Sequence, residues 1–251
     1  MTPALRIEAL HKSFPLPRSL RAVLRAPLRR ESRVALDGCT LTIARGEKVA
    51  LIGPNGAGKT TLARVVCGTA LRDSGVALLD ELDVAELAAH AHVALARPDD
   101  PALHPRLTAI EALRFHARLY GLATVTLERA LAPSLEALDA HDLLRRRVAT
   151  LSAGEKAKIS LCKALLGQPS LLILDELSRV LDPKMAERVR ALLDARCAQV
   201  GLAVLLITHD LDEARRCHRV LVMAQGRVIA TGNWSEVRAA AHALFGLTDT
   251  D

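Results

Sequence analysis

A glycine-rich segment carries the most specific chemistry in this sequence. It follows the apolar run Val49–Ile52 and consists of Gly53, Pro54, Asn55, Gly56, Ala57, Gly58, Lys59, Thr60 and Thr61. Glycines let consecutive backbone N–H groups point inward around an anion, and a helix beginning at Lys59 adds the positive end of its dipole. In such a loop Lys59 reaches the outer phosphates and the Thr60 hydroxyl ligates Mg²⁺. The helical spacing of Leu62–Cys67 favours a phosphate-binding loop over an ordinary tight turn.

Two other apolar runs end in polar residues that suit the same chemistry. Leu171–Leu174 leads into Asp175 and Glu176, and Val204–Ile207 leads, after one threonine, into His209. The carboxyl ends of parallel strands face a common crevice, so these side chains are expected near the phosphate loop. Asp175 is predicted to bind the metal, Glu176 to polarise an attacking water, and His209 to contact the terminal phosphate. A lone histidine is more often structural, but its place after a buried strand favours a functional role.

Composition narrows the class of protein. The 251 residues are 50% hydrophobic but only 2% aromatic, which predicts an aliphatic core and disfavours base-stacking contacts with nucleic acid. A net charge of +6 is compatible with an anionic ligand, an anionic membrane or nucleic acid, and does not distinguish among these partners. The five scattered cysteines indicate a reducing compartment. Without a signal peptide or an apolar run of about 20 residues, the chain is expected to be soluble or peripheral.

The remaining pattern predicts the elements around these residues. Leu5–Leu10 and Val34–Ile43 are expected to form an antiparallel pair flanking the ligand. Thr108 with an acid three residues later predicts a capping box that opens a helix over Ala109–Leu119, and a further helix is expected over 127–147. Residues 100–168 are thus predicted to form a helical subdomain inserted in a single α/β domain that spans 1–251.

A basic segment interrupts the predicted antiparallel pair between Pro15 and Arg33. Within it, Leu20, Val23 and Leu24 share one helical face. This pattern fits a contact with a membrane or a partner, and it fits a solvated arginine-rich loop as well. Both interpretations stay open.

These motifs together resemble the nucleotide-binding subunit of an ATP-binding cassette (ABC) transporter over nearly the whole chain. Leu151–Glu155 is similar to the family signature LSGGQ. The resemblance implies a P-loop NTPase fold, in which a RecA-like parallel sheet carries an antiparallel β subdomain and the helical subdomain. It also implies ATP and Mg²⁺ as ligands and ATP hydrolysis as the activity. In the family two subunits enclose two ATP molecules head to tail, so Ser152 and Gly154 would contact the γ-phosphate held by the opposite subunit. Asp182 matches the loop that couples the two sites, and Phe14 matches the aromatic residue that stacks on adenine, the alternative being a core phenylalanine.

The chain departs from the family pattern at several positions. Asp99 stands where the family has a coupling-loop glutamine, and we expect its carboxylate to face Mg²⁺, the alternative being an exposed loop acid. Ala153 and Glu155 replace a glycine and a glutamine of the signature. The loop between Glu176 and Asp182 has lost the proline and glycine of the family's DEPTSGLD pattern. Because Glu176 and His209 are retained, hydrolysis is still expected.

The resemblance also implies partners and a location. A single cassette of this kind forms a homodimer on separately encoded integral-membrane permease subunits, at the cytoplasmic face of the cell membrane, with no nucleic acid bound. Residues 101–122 are similar to the helical subdomain of export-type subunits, and the basic segment is similar to insertions in exporters of polysaccharides, lipids or drugs. The alternative is a soluble, non-transport ATPase of the iron–sulfur-assembly type, whose signature also carries glutamate at Glu155. DNA-repair and translation cassettes are disfavoured, because the sequence shows neither a long coiled coil nor a second cassette.

Overall fold

A computed structural model describes residues 2–16 and 32–246, apart from the side chains at 124 and 125. Most of the basic segment, with its three apolar residues, therefore lies outside the described residues. The strands are β1 (Leu5–Pro15), β2 (Ser32–Ile43), β3 (Lys48–Ile52), β4 (Ser74–Leu79), β5 (Leu82–Asp83), β6 (Val93–Ala96), β7 (Leu171–Asp175), β8 (Ala203–Ile207), β9 (Arg219–Ala224) and β10 (Arg227–Gly232). The α-helices are α1 (Lys59–Val66), α2 (Ala109–Leu119), α3 (Thr124–Ala137), α4 (Ala153–Leu166), α5 (Pro183–Val200), α6 (Leu211–Arg215) and α7 (Trp234–Phe245).

The larger sheet supplies the platform for the predicted chemistry. Its strand order is β10-β9-β3-β8-β7-β6, and the pairs from β9 to β6 are parallel. All residues of β3 and β8 are buried, as expected for central strands covered by helices on both faces. Since β3, β8 and β7 are neighbours, their carboxyl ends meet at one edge, as their sequences predict.

A second sheet, β2-β1-β4-β5, packs beside the first. The predicted antiparallel pair is present, with Leu5 opposite Ile43 and Phe14 opposite Arg33. The register shifts after Ile7, where Ala9 takes a positive φ of 45°. Such a bulge bends a strand, and Phe14 lies beyond it, next to the last residue of β1.

Helices α2, α3 and α4 share one buried aliphatic cluster that includes Leu113, Leu131 and Leu161. The capping box that opens α2 is present, since Thr108 accepts a hydrogen bond from the Glu111 N–H and the glutamate side chain accepts from the Thr108 N–H. The fold class predicted from the sequence is therefore confirmed.

One predicted helix is wrong in its second half. Helix α3 ends at Ala137, two residues before Asp139 adopts a left-handed φ of 49°. The chain then returns to the start of α2, where the carbonyls of Leu144 and Arg146 accept hydrogen bonds from the first N–H groups of that helix. Helix N-termini need such acceptors, so this tertiary contact overrides the helix-forming composition of 138–147. Among the described residues, no helix is both long and apolar enough to cross a bilayer.

Candidate functional site

The predicted phosphate loop lines a cleft of about 380 Å³ at the carboxyl edge of the parallel sheet, a size usual for small-ligand sites. The residues around it come from β1, β2, the phosphate loop, β7 and β8. They are Phe14, Pro15, Leu16, Arg33, Ala35, Asn55, Gly56, Ala57, Gly58, Lys59, Thr60, Thr61, Asp175, Glu176, Ile207 and His209. The structure thus brings together most of the residues that the sequence predicts for one site.

The loop needs its glycines for space and for backbone conformation. A Cβ on Gly53 would lie 2.2 Å from the Met223 carbonyl oxygen, and one on Gly58 would lie 2.6 Å from the Ala35 carbonyl oxygen. Gly58 also has φ 111°, a conformation costly for residues with a side chain. The missing side chains therefore let the loop pack directly against the backbones of β9 and β2.

Lys59 is held inside this loop. The residue is only 6% exposed, and its ammonium donates hydrogen bonds to the carbonyls of Gly53 at 2.6 Å and Pro54 at 3.1 Å. Burial lowers the pKa of Lys59, and the nearby carboxylates of Glu176 and Asp175 partly offset that effect. The carbonyls of Gly53 and Pro54 therefore fix the position of the lysine ammonium in the loop.

Glu176 and His209 form a pair at the end of adjacent strands. The Glu176 Oε1 atom lies 2.8 Å from His209 Nε2, and Glu176 Oε2 lies 3.3 Å from an Arg179 nitrogen. Glu176 has a left-handed φ of 52°, and its N–H donates to the Ile207 carbonyl. This bend turns the carboxylate into the cleft beside the histidine, where it can accept a proton from a water.

Two oxygen-bearing side chains of the cleft, those of Thr60 and Asp175, suit a magnesium ion. The Thr60 hydroxyl and the Asp175 carboxylate face one cleft, and both are hard oxygen ligands of the type Mg²⁺ prefers. Burial raises the pKa of Asp175, while the positive charge of Arg97 opposes the rise. A bound cation would act in the same direction as Arg97. The described residues contain no cluster of three or more acidic, histidine or cysteine side chains suited to a metal by itself, so phosphate oxygens would complete the coordination.

Phe14 lies at the end of β1 and faces the cleft. It is half-buried, not part of the core, and its ring is flanked by Lys12 Nζ at 5.2 Å and the Arg64 guanidinium at 5.7 Å from the ring centre. The alternative of a core phenylalanine is therefore wrong. Stacking on adenine stays a prediction.

The signature residues do not line the cleft of their own chain. Ser152 caps α4 in a capping box with Glu155, whose side chain accepts from the Ser152 N–H at 2.7 Å. A Cβ on Gly154 would lie 2.8 Å from the Val180 carbonyl, so that position requires glycine. Asp182 is exposed and caps α5, accepting from the Met185 N–H. Glu155 thus keeps a local structural role that glutamine would also fill.

Asp99 lies apart from the metal-facing groups. Its carboxylate is 78% exposed and makes two hydrogen bonds to the Arg97 guanidinium, at 2.9 and 3.0 Å. It lines a separate small cleft with Asp100 and Lys156. In this structure Asp99 is therefore an exposed loop acid, the alternative given above. A role facing the metal stays a prediction, and it requires the loop to move.

Sequence patterns did not predict the network beneath this loop. The neighbouring Asp100 is buried and accepts hydrogen bonds from Ser160 and from the Lys163 ammonium, both on α4. The Ser160 hydroxyl in turn accepts from the Arg97 N–H. A buried ion pair needs such satisfied partners, and this one fastens the 97–103 loop to the helix that begins at the signature. Two adjacent aspartates, Asp99 and Asp100, give no sequence signal of which one is buried.

Replacing Asp99 by glutamine tests its link to the metal. We expect the Mg²⁺ concentration for half-maximal ATPase to rise severalfold, because the change removes a carboxylate and frees the charge of Arg97 near Asp175. ATPase rates across a Mg²⁺ titration measure this, with Asp142→Gln, an exposed acid on a distant turn, as the control. An identical Mg²⁺ dependence in variant and parent would show that Asp99 is only a surface acid.

With this geometry established, comparison with known proteins identifies the class. Residues 36–179 match the family model described as ABC transporter, and the chain belongs to this family as an ATP-binding subunit. It is an ATPase that uses ATP and Mg²⁺ and couples hydrolysis to transport, as its sequence predicts.

Relatives support the assignment over most of the chain. The Nod factor export ATP-binding protein I of Paraburkholderia xenovorans is 38% identical over 209 residues, covering 80% of this chain and 66% of the relative. The Fe(3+) ions import ATP-binding protein FbpC of Streptomyces coelicolor is 34% identical over 223 residues, covering 88% of this chain and 64% of the relative. A solved structure described as the ATP binding subunit of an ABC transporter is 30% identical, with a TM-score of 0.80 and coverage of 98% of this chain and 95% of that chain.

Proposed function

We propose that the chain is the energy subunit of an exporter, that it dimerises head to tail around two ATP molecules, and that it docks on separate membrane subunits. The observation that carries this proposal is an incomplete site. The cleft holds the phosphate loop, Glu176 and His209, whereas Ser152 and Gly154 lie outside it. A second copy would supply the missing residues.

The residues predicted for chemistry in the cleft each have a role in this proposal. The backbone of the loop and the Lys59 ammonium bind the phosphates, while Thr60 and Asp175 hold Mg²⁺, which offsets charge on the phosphates when bound. Glu176 accepts the proton of the attacking water. His209 holds the Glu176 carboxylate through the 2.8 Å contact and faces the terminal phosphate. Phe14 stacks on adenine at the other end.

The exposed start of α4 suits a contact with a phosphate from outside the chain. Ser152 is exposed, and the N-terminus of the helix carries a partial positive charge. Gly154 packs against the carbonyl of Val180, two residues before Asp182. The signature segment of one copy is thereby in contact with the loop that follows Glu176 of the same copy. In the proposed dimer this segment faces the ATP of the other copy, so the contact links the two ATP sites.

The proposal includes export as the direction of transport and the cell membrane as the location. Export is supported by the 38% identity to a Nod factor export protein and by the similarity of residues 101–122 to export-type subunits. An import protein is nearly as similar, so identity alone does not set direction. The iron–sulfur-assembly alternative is not favoured, because these relatives are named for transport. We place the chain peripherally at the cytoplasmic face of the cell membrane.

Gel filtration with light scattering tests the dimer. In Mg²⁺-ATP the Glu176→Gln variant is expected to elute as a dimer, because ATP stays bound between the copies when hydrolysis stops. Without nucleotide, and in a variant that also carries Lys59→Ala, it should remain a monomer. A protein that stays monomeric with ATP, both alone and with its purified membrane partner, would contradict a composite site.

The membrane partner and the direction need a separate experiment. Purification of a tagged chain from native membranes is expected to recover a protein with several spanning helices, identifiable by mass spectrometry. With that partner reconstituted in vesicles, ATP added on the side of the cassette should move the substrate away from that side. Movement toward it would overturn export while leaving the energy-subunit proposal intact.

A further inference from the structure

We propose that Arg33 is a phosphate-binding residue of the ATP site, acting from β2 on the outer side of the phosphate loop. Arg33 lines the cleft together with Lys59 and Thr60. Its Nη2 atom lies 3.2 Å from the point where a Cβ on Gly56 would be. The guanidinium therefore lies directly against the loop that holds the phosphates.

The position of Arg33 follows from the antiparallel sheet. It lies opposite Phe14 in the β1–β2 register, so its backbone is at the end of the cleft where Phe14 binds the base in the proposed function, on which this inference rests. From there the long side chain extends to Gly56, in the middle of the loop. Such a path follows the phosphate chain of a nucleotide whose base lies on Phe14 and whose terminal phosphate lies near Glu176.

The charges in the cleft leave this guanidinium available. No carboxylate in the described part of the chain forms an ion pair with Arg33. The acids that line the cleft, Asp175 and Glu176, lie at the metal end. A planar guanidinium matches phosphate oxygens with two parallel hydrogen bonds. Lys59 is buried whereas Arg33 is exposed, so Arg33 would place a second cation on the solvent-facing side of the phosphates.

Glycine at position 56 suits this contact. Its φ of 80° is strained for a residue with a side chain, and a Cβ there would lie 3.2 Å from Arg33 Nη2 and force the guanidinium to shift by a few tenths of an ångström.

Calorimetric titration with Mg²⁺-ADP, which is not hydrolysed, tests the proposal. Arg33→Gln is expected to weaken ADP binding about tenfold, the size expected for losing a charge-assisted contact. The ADP affinity of Arg33→Lys should lie between those of the parent and Arg33→Gln. Lysine keeps the positive charge but cannot form the two parallel hydrogen bonds of a guanidinium. Binding of adenosine, followed by ligand-observed NMR, should not change.

Arg64→Gln provides the matched control. It removes the same charge, and its guanidinium also lies near the Phe14 ring, at 5.7 Å, but Arg64 does not line the cleft. We expect this variant to bind ADP within twofold of the parent. Melting curves without nucleotide check that both variants fold.

Two results would overturn the assignment. Unchanged ADP affinity in Arg33→Gln would mean that the guanidinium does not contact phosphate. An equal loss of ADP and adenosine binding would mean that Arg33 acts on the base pocket through its place opposite Phe14. Neither result touches the assignment of Lys59, which the Lys59→Ala variant tests separately.

Discussion

Replacing Glu176 by glutamine is expected to lower the ATPase rate at least a hundredfold and to leave ATP affinity within a few fold of the parent. General-base catalysis is worth about 10²–10⁴ in rate, and an amide cannot accept the proton of the attacking water. The substitution keeps the size of the side chain, so its bend over the cleft and its contact with His209 can persist. Phosphate release measures the rate, and equilibrium binding of ATP measures the affinity.

The control for this variant is Glu187→Gln. Glu187 is an exposed glutamate on α5 that pairs with Arg190 outside the cleft. Its replacement should leave the rate near that of the parent. If Glu176→Gln hydrolysed ATP at the parental rate, the proton acceptor would have to lie elsewhere, and the role given to Glu176 would be wrong.

Replacing Lys59 by alanine is expected to weaken ATP binding about a hundredfold or more. The ammonium is buried and makes charge-assisted contacts, each worth about 1.5–3 kcal/mol, and a hundredfold loss corresponds to about 2.7 kcal/mol. Lys59 is the only buried cation among the described cleft residues. Without it, binding of the β- and γ-phosphates would weaken. Calorimetry with ATP and ADP measures it.

The alanine variant also leaves the carbonyls of Gly53 and Pro54 without the lysine that they now bind. A melting curve without nucleotide separates loss of folding from loss of binding, and Lys59→Met, which keeps most of the volume, serves as a second variant. Lys184→Ala, an exposed lysine at the start of α5, is the control. Unchanged affinity in a folded Lys59 variant would refute the phosphate-loop assignment.

Local sequence determined much of the site. The turn formed by the phosphate loop and the capping box at Thr108 are local motifs, so their residue types and spacing predict them. The apolar runs before Gly53 and Asp175 predict buried strands, and parallel strands necessarily end at one edge. These features were enough to predict that Lys59, Glu176 and His209 lie in one site.

Contacts between distant parts of the chain were decided only by the tertiary structure. Asp99 and Asp100 are the same residue type in adjacent positions, yet one is exposed on Arg97 and the other is buried on Lys163, because only the second faces α4. Helix-forming composition after Ala137 gave way to the need of α2 for acceptors at its N-terminus. The approach of Arg33 to Gly56 depends on the register of β1 and β2. Periodicity and capping report short-range preferences, whereas burial and charge pairing depend on which surfaces meet, and that is fixed only when the sheets and helices pack.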